Sequence, residues 1–140
     1  MSTEVADTAE LLTRARKSLE RYLAVSVDDD GTLTFTHADV PCVIQGTRLA
    51  EGLGVLSLTC VLGWDLADDP ARSAAVAERA GQGLFGTLGV VHTESGVDIT
   101  LRYAFPAEGL DSAPLGTLLM LVVSTASQLR GELLGEQSSA

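Results

Sequence analysis

PCVIQGTRLAEGLGVLSLTCVLGW, residues 41–64, is the stretch on which the fold turns. It holds two apolar runs, Pro41 to Arg48 and Gly54 to Trp64, about a turn centred near Glu51. Both runs are rich in β-branched and leucyl residues, and a link this short joins antiparallel strands. Closing the hairpin at Glu51 sets Cys42 opposite Cys60, Ile44 opposite Leu58 and Gly46 opposite Leu56. That register gathers the apolar side chains on one face, whereas a slip of one residue scatters them. Cys42 and Cys60 are thus expected as cross-strand neighbours in the core. Neither stands in a Cys-x-x-Cys pair or beside other soft ligands, so both read as buried, reduced thiols.

Outward from the hairpin, Thr32 to Thr36 alternates Thr with Leu33 and Phe35 and reads as a third strand, entered through an Asp30-Gly31 turn. Before it, Leu12, Ala15, Leu19, Tyr22 and Leu23 fall on one helical stripe, predicting a helix from about Thr8 to Ala24 with Asp7 and Glu10 as a capping pair. After the hairpin, Asp69-Pro70 starts a second helix that runs through Ala80 and ends at Gly81 or Gly83. Ala74, Ala77 and Ala80 give that helix a shallow face suited to close approach to a sheet. Leu88 to His92 and Val97 to Phe105 are two further strands, joined by the turn Thr93-Glu94-Ser95-Gly96. Pro106 stops the last of them, and Asp111-Ser112-Ala113-Pro114 opens a final helix reaching Leu134. The order α-β-β-β-α-β-β-α predicts an α+β fold, an antiparallel sheet covered by helices. One domain over residues 1–140 is expected, with short flexible tails at about 1–7 and 135–140.

Composition narrows the function. Hydrophobic residues make up 46% and charged residues 20%, a globular balance. The net charge of -10 and a pI near 4.4 repel phosphate backbones and anionic membranes, so neither nucleic acid nor a membrane is an expected partner. Aromatic residues are only 4%, and no basic patch interleaves with them as a base-stacking surface requires. Residues 1–10 are acidic and lack the charged-then-apolar pattern of a targeting segment, so the expected location is cytoplasmic.

Motifs that could carry chemistry do not survive their context. Gly81-Gln82-Gly83-Leu84-Phe85-Gly86 matches a dinucleotide-binding string but follows a helix and precedes a strand, the reverse of the order that points backbone N–H groups at a pyrophosphate. No lysine completes it as a phosphate loop. Ser26, Asp28, Asp30 and Gly31 resemble the opening of an EF-hand loop, yet His37 stands where the bidentate glutamate belongs. His37 and His92 have no metal-spaced companions, neither cysteine has a histidine partner, and Ser57, Ser124 and Ser127 lie in no nucleophile elbow. Asp68 and Asp69 are accounted for by helix capping. The expectation is a protein without enzymatic activity, metal or cofactor.

Ser112 to Leu134 offers the strongest functional clue. Leu115, Leu118, Leu119, Val122, Ala126, Leu129 and Leu133 form one stripe, while Met120, Leu121 and Val123 point elsewhere. The run from Leu118 to Val123 is interrupted by Ser124, Thr125, Ser127 and Gln128, well short of the roughly 20 apolar residues of a membrane span. Its cover is the protein's own fold, a twin subunit or a partner. Met120, Leu121 and Val123 are the candidate interaction surface, with Trp64 added because indole is frequent at binding hot spots.

The acidic turn Asp28-Asp29-Asp30-Gly31-Thr32-Leu33, the long strand ending before Asp69-Pro70, and the strand closing in Tyr103-Ala104-Phe105-Pro106 ahead of a long apolar helix carry a family resemblance. From about Leu11 to Leu134 the chain resembles the type III secretion chaperone-like proteins and, within them, the YbjN-related branch of peptide-binding chaperones. The resemblance implies a small, acidic, dimeric, cytoplasmic chaperone or adaptor that binds a protein or peptide client. An extended client segment then adds to an open sheet edge while its side chains enter grooves between sheet and helix. Two other readings stay open: a small-ligand or enzymatic pocket between sheet and final helix, using His92, Tyr103 or the Gly81 to Gly86 loop, and a regulatory domain dedicated to one protein.

Overall fold

A computed structural model of the chain describes residues 2–83 and 85–135, with side chains from residue 8 onward. Strands Val40–Ala50 (β3) and Leu53–Leu66 (β4) pair antiparallel with Cys42 opposite Cys60, Ile44 opposite Leu58 and Gly46 opposite Leu56, the register read from the sequence. Leu33–His37 (β2) joins β3 through Ala38-Asp39, both at positive φ, 50° and 67°. Two consecutive left-handed residues turn the chain in the sense that matches the twist of the strands they connect. Thr87–Thr93 (β5) and Gly96–Pro106 (β6) form the second hairpin, and β6 pairs with β4. A two-residue strand absent from the expected order, Ser26–Val27 (β1), flanks β2. The result is one antiparallel sheet in the order β1-β2-β3-β4-β6-β5.

Three helices, Ser2–Leu19 (α1), Pro70–Ala80 (α2) and Ser112–Leu134 (α3), lie on the same face of this sheet, α1 and α3 over β3 and β4 and α2 over β5. The expected α+β class holds, with helices to one side of an antiparallel sheet. α1 begins six residues earlier than expected, so Asp7 stands inside it rather than at its start. It also ends five residues sooner, because the amides of Tyr22 and Leu23 both turn back to the Leu19 carbonyl and free the chain to enter β1. Tyr22, expected on the buried stripe, is consequently 60% exposed. The tail expected at residues 1–7 is helical backbone from Ser2; Met1 and residues 136–140 lie outside the described residues. Asp69 caps α2 as expected, its carboxylate accepting from the Ala71 N–H at 3.0 Å.

Two contacts set the helices. Gly116 of α3 lies so near Ser18 of α1 that a Cβ there would sit 3.2 Å from the serine Cβ. Ser18 shares its hydroxyl proton between the carbonyls of Arg14 at 2.9 Å and Ser112 at 3.0 Å. Glu108, in the loop leading into α3, accepts from the Gly54 N–H at 2.6 Å and from Arg48 at 3.1 Å, while Arg14 donates to the carbonyls of Glu108 and Leu110. One carboxylate and two guanidinium groups thus fasten the start of α3 to the central hairpin and to α1. Charge-assisted bonds of this kind are shorter and stronger than neutral ones.

By length and composition α3 could cross a membrane, with a mean hydropathy of 1.3 over its most apolar window. Its apolar side is instead occupied inside the fold: Leu115, Leu119, Val122, Val123, Ala126 and Leu129 are all 0% exposed.

The facing thiols of Cys42 and Cys60 lie 3.6 Å apart in the core. The hydrogen bond with Cys42, followed by burial, pushes the Cys60 thiol well above its ordinary range. A thiol held neutral reacts slowly with alkylating agents. Native protein should therefore take up iodoacetamide at Cys42 and Cys60 only slowly, while denatured protein takes up two labels at once, a difference read by mass spectrometry. Equal labelling rates in native and denatured protein would contradict this placement.

Candidate protein-interaction surface

β6 is longer than its outer neighbour. It pairs with β4 from Val97 to Pro106, but with β5 only from Gly96 to Arg102. Tyr103 to Pro106 therefore extend past the start of β5, and the sheet steps inward there. An aromatic ladder marks the step: Tyr103 stacks on Phe105 with ring centroids 5.1 Å apart, and Phe85, from the segment before β5, meets Tyr103 edge-on at 6.5 Å. Phe105 is buried, Tyr103 is half-buried, and Phe85 is 52% exposed. Apolar surface at such a step, between sheet edge and helices, fits the side chains of an added strand. The opposite edge is blunted. β1 is two residues long, and beside it lies the acidic turn Asp28–Asp30, where the Asp30 carboxylate accepts from the Thr32 N–H and is held below the usual range by that bond. Short strands and charge discourage pairing at an edge.

The expected interaction residues do not come together. Val123 is fully buried in the core, so it leaves the candidate surface; its place is packing, against the reading that set it outside the stripe. Met120 is half-buried against the core, and Leu121 is 42% exposed. Trp64 is 52% exposed and lies on another part of the molecule. A Cβ on Gly63 would meet Leu134 of α3, so Gly63 faces the helices and Trp64, one residue on, faces away from them. Phe85 and Val91, both exposed, were not singled out in the sequence. An aromatic side chain in a glycine-rich loop, with no amphipathic stripe to claim it, was the signal for Phe85.

The other motifs resolve as structure. Gly83 and Gly86 take positive φ, 85° and 110°, where the chain leaves α2 for β5; Leu84 of the same string lies outside the described residues. His92 is exposed and lies 3.6 Å from Asp68. It pairs in register with Val97, six residues along β6 from Tyr103, so the two side chains named for a pocket stand about 20 Å apart. Crevices of about 160 and 210 Å³ flank α1, one lined by Ala9, Leu12, Val27 and Leu33, the other by Thr8, Asp30, Gln45 and Gly46. Both fall below the roughly 300 Å³ of a ligand pocket. Among the described residues no group of three or more His, Cys, Asp or Glu is placed to hold a metal ion.

No protein-family profile matches this chain, and no curated protein does. Among solved structures it is similar to the crystal structure of the ExsC-ExsE complex, with a TM-score of 0.59 and 19% sequence identity over 90% of this chain and 95% of that one. The likeness is one of fold and runs the length of both chains. It agrees with the secretion chaperone-like arrangement expected from the sequence.

Proposed function

We propose that this chain is a non-enzymatic protein- or peptide-binding module of the chaperone or adaptor type, working in the cytoplasm as a homodimer. The observation that carries the reading is the step in the sheet where β6 outruns β5 beside Phe85 and Tyr103. An extended client segment laid in line with β5 meets strand backbone on one side and aromatic rings on the helix side. Backbone pairing supplies affinity there, and the pockets between side chains supply selectivity. The similar structure contains two differently named proteins, ExsC and ExsE, in one complex, which supports partner binding on this fold. Within it, the YbjN-related branch is our assignment, from the strings at Asp28–Leu33 and Tyr103–Pro106.

Affinity capture from native lysate tests the reading. Wild-type protein should retain a defined set of proteins, and Phe85→Glu, a change at an exposed side chain, should reduce their yield by about tenfold or more, as loss of a hot-spot contact does. Equal yields from the two proteins would refute the placement at the step. Specific thermal stabilisation by a metabolite, with no protein retained, would refute the class.

A further inference from the structure

All three helices cover one face of the sheet, and among the described residues no element covers the other. The strand register places four rows across that open face. Thr36, Pro41, Val61, Thr100 and Gly89 make the central row. To one side of it run Thr34, Val43, Thr59, Arg102 and Thr87; to the other side run Trp64, Asp98 and Val91. Gln45, Ser57 and Ala104 lie beyond the first of these. In a chain with nineteen acidic and nine basic residues, these rows contain one of each sign, Asp98 and Arg102. The remainder is valine, threonine, Pro41, Gln45 and small side chains, with exposed Trp64 at one end. A basic client would find no excess of acid here, and an acidic one no excess of base.

We propose that this open face seats a second copy of the chain, related by a two-fold axis along the Thr100 row. This deepens the homodimer part of the reading above by naming its surface. The axis is dictated by the charges. Asp98 and Arg102 lie four residues apart on β6, about 13 Å, with Thr100 midway. Rotation about the Thr100 row lays Asp98 over Arg102 of the partner subunit and, reciprocally, Arg102 over Asp98 of the partner subunit. It also lays the Trp64 row over the Val43 row. A closed two-fold interface must be self-complementary in this way. Two molecules that each carry a charge of -10 repel one another over most of their surfaces, so association is cheapest across the patch that is neutral and charge-matched to itself. Five strands at about 4.8 Å spacing, β2 contributing about 17 Å of length and each of the others about 23 Å, give about 520 Å² per copy and about 1,050 Å² in all, just above the roughly 1,000 Å² a specific interface needs. The sheets stack face to face, as in a sandwich.

Sedimentation equilibrium at micromolar concentration tests this. Wild type should give about 29 kDa, twice the 14.6 kDa of the chain. Arg102→Asp, which sets two carboxylates against each other on both sides of the axis, should raise the dissociation constant by about a hundredfold and give the monomer mass. The exchange Asp98→Arg with Arg102→Asp should restore the dimer. Because Asp98 also accepts from the Asp65 N–H, Val43→Glu serves as an independent disruptor that leaves that bond alone. Circular dichroism confirms that each variant is folded. A dimeric wild type whose Arg102→Asp and Val43→Glu variants stay dimeric would overturn the proposed face and leave the homodimer standing on another surface. A monomeric wild type would overturn both, while client capture would still report on the binding function.

Discussion

Val123→Asp is expected to abolish the folded state. The side chain is 0% exposed in α3 and belongs to the hydrophobic core. Burying an unpaired charge, together with loss of the valine's packing, belongs to the mechanisms that cost more than about 4–5 kcal/mol. That is a large share of the roughly 5–15 kcal/mol by which a domain is stable. The variant should lack a cooperative thermal transition in circular dichroism and collect in the insoluble fraction. Leu121→Asp, two residues before it on the exposed side of the same helix, should melt within about 1 kcal/mol of wild type. A soluble, cooperatively folded Val123→Asp protein would show that α3 does not pack as described.

Gly86→Ala is the second change with a large expected effect. Gly86 has φ of 110°, and a Cβ there would lie 2.7 Å from the Arg102 carbonyl oxygen on β6. A methyl group would both occupy a backbone conformation closed to L side chains and press on a neighbouring main chain that cannot rotate away. Strain and overpacking each cost about 1–3 kcal/mol, so a loss of about 2–6 kcal/mol is expected. Urea denaturation should show the midpoint falling with an unchanged slope. Gly83→Ala is the informative comparison: its φ is also positive, at 85°, but nothing lies within 4 Å of its Cβ, so it carries the strain without the collision. Equal losses at the two positions would refute the close approach to β6.

The contrast between these glycines shows how the sequence could and could not be read. The central hairpin was legible because alternation has period two, and only one register puts Cys42, Ile44, Leu56, Leu58 and Cys60 on one face. The glycine string was legible in what it excluded, by its position between helix and strand. What Gly86 does was not, since the carbonyl it approaches belongs to β6, sixteen residues later. Val123 was misread for a related reason. A single stripe assumes one neighbour, whereas α3 meets the sheet and α1, and Val123 lies two turns beyond Gly116, on the flank that meets Ser18. The uncovered sheet face escaped notice because its strands carry threonine and small residues that look like an ordinary solvated side. Their lack of charge becomes visible only when the strands are laid side by side.

The bond between Ser18 and the Ser112 carbonyl joins residues 94 positions apart, and the Arg14 bonds to Glu108 and Leu110 span nearly the same distance. α1 is made well before the helix it crosses. Through most of that interval the apolar side of the sheet and Leu11, Leu12, Ala15 and Leu19 have no α3 to close over them. Loop closure over such a span comes before the contacts that repay it, which places this chain among the slower folders, on the scale of milliseconds to seconds. A nascent chain arrested before α3 is therefore a sticky intermediate, with the apolar side of its own sheet in need of cover until α3 is made.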